Sequence, residues 1–163
     1  MRSGDVPEWM VFAAQAIMQT VKAKDVETYW HCLRVGKNSR LLAHAAGLSD
    51  YEQKVVEYSG IFHDIGKVGV PDQILLKPGK LTDEEYAVMK DHPEKSAEIL
   101  QPLMMNQFVL DVIPGVRHHH ERIDGRGYGH GLSGDQIPLS ARIILIADTF
   151  DAMTADRAYR KGL

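Results

Sequence analysis

The sequence predicts an all-α fold, and three observations carry that expectation. Apolar residues recur at helical spacing along most of the 163 residues. Helix-start signals separate these stretches at intervals. Strand candidates are few, and no repeat, low-complexity tract or linker interrupts the chain. The length suits one domain, 1–163, built on a single core.

The first helix is expected over about 7–21 and a second from near Asp25 toward Ala46, where Gly47 ends it. Ser49 and Glu52 form a capping-box pattern for a third helix, which carries Val55, Val56, Ile61 and Phe62 and then His63-Asp64. Gly66, Gly69 and Pro71 break the periodicity, so 66–80 is expected to be mainly loop. Thr82 and Glu85 open another helix, and His92-Pro93 starts the next, with proline at its favoured first position. An apolar stretch over 108–116 leads into the triple histidine 118–120. The glycine-rich stretch 124–138 is expected to be a loop. The segment 139–153 is apolar almost all round. Its run 142–146 alone could be a buried strand, but its length and alanines favour a buried helix.

Composition narrows the function. Net charge is −3, which argues against bulk binding of long nucleic acid. A small anionic substrate stays open, because bound cations would supply local positive charge. The single cysteine, Cys32, rules out an internal disulfide framework and fits a cytoplasmic location. It reads as a packed structural thiol, since neighbouring helix positions cannot share a face with His31. No run reaches the roughly 18 apolar residues of a membrane span. The stretch 9–18 is not a signal peptide: Asp5 and Glu8 precede it and Gln15 interrupts it.

The chemistry-bearing residues are Glu27, His31, His63, Asp64, His92, His119, His120 and Asp148. Imidazoles and carboxylates suit iron, manganese or zinc. A carboxylate has two oxygens, so Asp64 could bridge two ions about 3.5–4 Å apart and clamp a phosphodiester in flight. Glu27 and His31 are four apart and share a helix face, as do Asp148 and Asp151, three apart. Each residue has a bland alternative. The triple histidine could be a solvated loop, and Asp148 could cap a helix or pair with Arg142. Their joint occurrence favours a metal site, because a carboxylate inside an apolar helix needs compensation.

The ordered motifs resemble those of the HD-GYP domains, a branch of the HD phosphohydrolase superfamily. The matching stretches are Val21 to Asp25 leading to His31, and HDIGKVGVPDQILLKPGKLT from His63. They continue with His92-Pro93-Glu94, HHERIDGRGYGHGL from His119, and IPLSARIILIADTFDAMTADRAYRK from Ile137. The resemblance implies a helical bundle with metals held between helices and a glycine-rich signature loop. It implies a metal-dependent phosphodiesterase that cuts cyclic di-GMP to pGpG, in many members on to GMP, with a hydroxide shared by two ions attacking phosphorus.

Carried over by motif, the ligands are His31, His63, Asp64, His92, His119, His120 and Asp148. Glu27 matches a third-metal ligand, so two or three iron or manganese ions are expected. Lys67 is expected near the substrate phosphate, Tyr128 against a guanine, and Arg157 and Arg160 on phosphate. Asp151 is a candidate to orient water or relay a proton, with a cap or an ion pair as its alternative. Implied partners are cyclic di-GMP, diguanylate cyclase domains and an upstream sensory domain.

Two departures stand out. The signature Gly-Tyr-Pro reads Gly127-Tyr128-Gly129 here. Losing proline adds backbone freedom, so restoring it at 129 is expected to raise activity if loop order limits turnover. The family domain also continues past the position of Lys161, so part of the C-terminal end is expected to be missing. A second reading follows: a catalytically weak cyclic-dinucleotide-binding or partner-binding module that keeps its metal site. A third, an HD enzyme acting on mononucleotides or alarmones, would need fewer histidines.

Overall fold

Among residues 6–155, which the computed structural model describes, every regular element is helical. The all-α expectation therefore holds. Helix α1 (Glu8–Lys24) runs a turn further than expected and stops where Asp25 turns extended. Asp25 then caps α2 (Val26–Ala45), its carboxylate accepting from the backbone N–H of Glu27 and Thr28. The capping box of Ser49 and Glu52 opens α3 (Asp50–Phe62), and that of Thr82 and Glu85 opens α5 (Asp83–Lys90). Helix α6 (His92–Leu100) has its proline in the first turn. Asn106 caps α7 (Gln107–His118), and α8 (Leu139–Thr154) closes the described chain.

The 66–80 stretch is more ordered than expected. It contains a 3-10 turn, Ile65–Gly69, and the one-turn helix α4 (Asp72–Leu75). Pro71, with φ fixed at −57°, leads into that turn.

The main core joins Met10, Met18 and Val21 of α1, Phe62 of α3, Leu100 of α6 and Val109, Val112 and Val116 of α7. Cys32 packs into it fully buried, and burial pushes its thiol up, as an inert structural cysteine requires. A smaller cluster of Val35, Ile144 and Ala147 fastens α8 to α2.

Helices α2 and α3 touch backbone to backbone at Gly36 and Gly60. A Cβ on Gly60 would lie 2.9 Å from the Gly36 Cα, and one on Gly36 would meet Ile61 at 2.5 Å. That close crossing brings the rings of His31 and His63 to 5.2 Å, although they lie on different helices.

Helix α8 differs from its expectation. It buries Ala141, Ile143, Ile144 and Ala147 but leaves Leu139, Ile146, Phe150 and Met153 exposed. The described helices cover only the face that meets α2, α3 and α7.

Candidate metal centre

Helix ends deliver most of the centre. His63 caps the C-terminus of α3, and Asp64 starts the tight turn after it. His92 opens α6, while His119 and His120 follow α7. His31 comes from the middle of α2 and Asp148 from α8. Ser96 fastens the His63-Asp64 corner to α6: its buried hydroxyl donates to the His63 carbonyl at 2.8 Å and accepts from the Gly66 N–H at 2.8 Å. Gly66 is needed there, because a Cβ would sit 2.2 Å from the His92 carbonyl oxygen.

The imidazoles share one orientation. His63 Nδ1 lies 2.7 Å from the Gly60 carbonyl, His92 Nδ1 2.7 Å from that of Met89, and His119 Nδ1 2.7 Å from that of Val116. A nitrogen at that distance from a carbonyl oxygen carries the proton, so Nε2 of the neutral ring holds a lone pair. His31 Nδ1 faces the Asp151 carboxylate at 2.7 Å in the same manner. The Nε2 atoms then converge on Asp64: that of His92 lies 3.0 Å from Oδ1, and those of His63 and His31 lie 3.3 and 3.5 Å from Oδ2.

This convergence fits a metal. His92 Nε2 and His119 Nε2 stand 3.3 Å apart, and neither carries hydrogen in the tautomers set by the carbonyls. Facing lone pairs at that distance repel unless a cation lies between them. His63 Nε2 and Asp64 Oδ1 are buried with no hydrogen-bond partner among the described residues. Two groups of donor atoms, each within 4.8 Å of one another, share Asp64: one adds His92, His119 and His120, the other His31 and His63. Asp148 joins the second through His31 Nε2, at 3.1 Å.

The electrostatics divide the two donor groups: His119 and His120 are held neutral, whereas the carboxylates around His31 keep a proton there that a bound cation would have to displace. Burial alone would raise Asp64, but His63, Lys67 and His92 outweigh it and hold the carboxyl well below its usual range. Burial and the neighbouring histidines hold His119 well below its usual range. Burial and His92 take His120 down to about 3, so both rings stay neutral and able to ligate. Burial pulls His31 down, yet Asp148, Asp151 and Asp64 together raise it to about 9. Lys67 places its ammonium 2.7 Å from Asp64 Oδ2, and the Asp64 charge outweighs burial to raise its pKa.

Not every sequence expectation lands at the centre. Asp151 is buried behind His31, and both its oxygens are engaged by His31 and by Arg34 at 2.6 and 3.0 Å. It orients an imidazole, which matches the ion-pair alternative and not the water or proton role. Asp148 pairs with His31 and not with Arg142, which reaches Asp135. Glu27 lies one turn before His31, exposed, and joins neither donor group. Arg157 and Arg160 lie outside the described residues. Ser96, Arg34 and Glu121 escaped the sequence reading. Glu121 stands within the quoted motif, and Arg34 is three residues after His31. Ser96 carries no local signal.

The signature loop lies against the end of α7. A Cβ on Gly127 would come within 2.4 Å of the His120 carbonyl oxygen, and the Tyr128 N–H donates to that oxygen at 3.1 Å. Tyr128 stacks on His120 with ring centroids 4.6 Å apart. Glu121, 1% exposed, accepts from the backbone N–H of His130 and Leu132 and pins the loop. Gly129 takes φ +125°, which proline cannot adopt. Proline at 129 could not keep this turn, which bears against the expectation that restoring it raises activity. Beside Tyr128 opens a cavity of about 450 Å³ that also meets Lys90, Glu94 and Arg117.

Comparison with known proteins agrees with this architecture. A profile of the HD domain family matches residues 14–163. The chain is 40% identical over 146 residues to the cyclic di-GMP phosphodiesterase response regulator RpfG of Xanthomonas campestris, covering 90% of this chain and 38% of that protein. It is 41% identical over 145 residues to a 3'3'-cGAMP-specific phosphodiesterase of Vibrio cholerae, covering 88% of this chain and 27% of that one. The chain thus spans well under half the length of these relatives. The HD domain of the Listeria monocytogenes phosphodiesterase PgpH, solved with cyclic di-AMP, superposes with a TM-score of 0.64 at 19% identity, over 88% of this chain and 75% of that one. The chain belongs to the HD domain family, in its HD-GYP branch.

Proposed function

We propose that this chain is a metal-dependent phosphodiesterase that hydrolyses cyclic di-GMP to pGpG, with GMP as an open second product. The observation that carries the reading is the set of Nε2 lone pairs aimed at one buried carboxylate, Asp64. His31, His63, Asp64 and Asp148 would hold one divalent ion, and Asp64, His92, His119 and His120 a second. Iron and manganese suit this nitrogen and oxygen set. Glu27, one turn before His31, is assigned to a third ion. When bound, the ions supply Lewis-acid stabilisation and lower the pKa of water to near neutrality.

The protein's own contribution is positioning and charge. Asp151, itself braced by Arg34, fixes the ring of His31. Lys67 sits on the same turn as Asp64 and offers its ammonium to a non-bridging phosphate oxygen. Tyr128, already stacked on His120, offers a ring face to a guanine at the mouth of the cavity. Arg157 and Arg160 follow α8 in sequence and are assigned to phosphate. The domain is assigned to 1–163, with an upstream sensory domain and diguanylate cyclase domains as partners within a longer protein.

Relatives named for cyclic di-GMP and for 3'3'-cGAMP match about equally, so the experiment is a substrate panel. Protein loaded anaerobically with Fe(II) or Mn(II) is incubated separately with cyclic di-GMP, 3'3'-cGAMP and cyclic di-AMP, and products are resolved over time. Fastest release of pGpG supports the assignment. Faster cleavage of another dinucleotide reassigns the substrate. The left-handed Gly129 favours one second reading, a binding module. Tight cyclic di-GMP binding without turnover in metal-loaded protein would establish it.

A further inference from the structure

A second group of donors lies on the outer side of the same helix end. His118, Glu121 and His130 each offer an atom, and the three atoms lie within 4.8 Å of one another. None of the three belongs to the Asp64 centre. The His118 and His130 rings meet edge to face at 4.8 Å. His118 Nδ1 is shielded from solvent and has no hydrogen-bond partner among the described residues. Each Glu121 oxygen accepts one backbone N–H, at 2.5 Å from His130 and 3.1 Å from Leu132. A carboxylate oxygen has a second lone pair, so Glu121 can hold the loop and still ligate. Two imidazoles and a carboxylate form a common zinc donor set that leaves a fourth position for water.

Donors around one tetrahedral zinc stand about 3.3 Å apart, given bonds of roughly 2.0–2.1 Å. The group must therefore tighten, and His130, 47% exposed at its side chain, is free to rotate inward. Its nearest carboxylate elsewhere is Glu94, 3.9 Å from Nε2, which is already engaged by Arg117.

We propose that His118, Glu121 and His130 form a second transition-metal site, for Zn(II) or a similar borderline cation, that clasps the signature loop to the end of α7. His130 directly follows Gly129, where the loop lacks a rigid proline. A metal bridge from His130 to His118 would supply the order that the glycine forfeits. The site binds independently of any reaction at Asp64.

The test compares wild type with His130→Gln, a partly exposed position whose replacement leaves the Asp64 centre intact. Both proteins are stripped with chelator, loaded with excess Zn(II), desalted and analysed for metal per chain. Amide hydrogen exchange over 125–134 is followed with and without zinc. The proposal expects wild type to retain one equivalent more than His130→Gln, and zinc to slow exchange across the loop in wild type alone. Equal zinc content in the two proteins overturns the site. Loss of an equivalent with no difference in loop exchange overturns the clasp.

Discussion

Ser96→Ala isolates the link between the helical scaffold and the metal centre. The Ser96 hydroxyl is fully buried, donating to the His63 carbonyl and accepting from the Gly66 N–H, both at 2.8 Å. Alanine fills nearly the same volume, so packing barely changes, but two buried backbone groups lose the partner that Ser96 gives them. Each such loss costs about 1–3 kcal/mol, so the pair should cost about 2–4 kcal/mol after partial relaxation. With a urea m-value of about 2 kcal/mol/M for a domain of this size, the unfolding midpoint should fall by about 1–2 M. Metal affinity should fall too, because the corner carrying His63 and Asp64 loses its tie to α6. The assay is urea unfolding by circular dichroism on metal-free protein, followed by Mn(II) titration. The exposed Thr149→Ala, which also removes a hydroxyl-to-carbonyl bond, serves as control and should change stability by under about 0.5 kcal/mol. A Ser96→Ala midpoint within about 0.3 M of wild type, with unchanged m, would refute the reasoning.

Further outcomes follow from the same geometry. Lys67→Ala should retain metal but lower turnover by about 10²–10³-fold; metal content and kcat measured on one preparation decide, and unchanged kcat would remove Lys67 from the reaction. Gly129→Pro should loosen the loop and lower activity, since φ +125° is closed to proline; increased activity with faster tryptic cleavage at Arg126 excluded would contradict that conformation. Tyr51 supplies a pH dependence. Burial, and the hydrogen bond its hydroxyl donates to Asp111 at 2.6 Å, push its phenol from 10 up to about 12. The folded pKa is the higher one, so this stabilisation is complete below pH 10 and is lost as pH rises through 12. The stability gap between wild type and Tyr51→Phe should therefore shrink over that window, and a gap constant with pH would exclude the assignment.

The frame of helices could be read from the chain because its signals are local. The boxes at Ser49 and Thr82, the Asp25 cap and Pro93 each act within one turn of backbone. The residues of the donor groups were legible as types at recognisable spacings, though their ligation is the proposal above. What escaped depends on contacts between distant segments. Ser96 sits 30 residues from Gly66 and has no pattern of its own. The Gly36–Gly60 crossing looks, in sequence, like two weak points in helices, yet it sets the His31–His63 approach. Asp151 reads equally as a catalytic group or an ion-pair partner until α8 lies on α2, when His31 and Arg34 take both its oxygens. The exposed face of α8 could not be read from its composition, because apolar residues on every side predict burial on every side.

The most direct test of the account counts metal and product in the same samples. Wild type and Asp64→Ala, each loaded anaerobically with Fe(II) or Mn(II), are desalted, analysed for metal per chain and then given cyclic di-GMP. Wild type should release pGpG in proportion to the metal it holds, and Asp64→Ala, folded by circular dichroism, should lose both metal and product. Product release by Asp64→Ala, or by fully chelated wild type, would contradict this expectation.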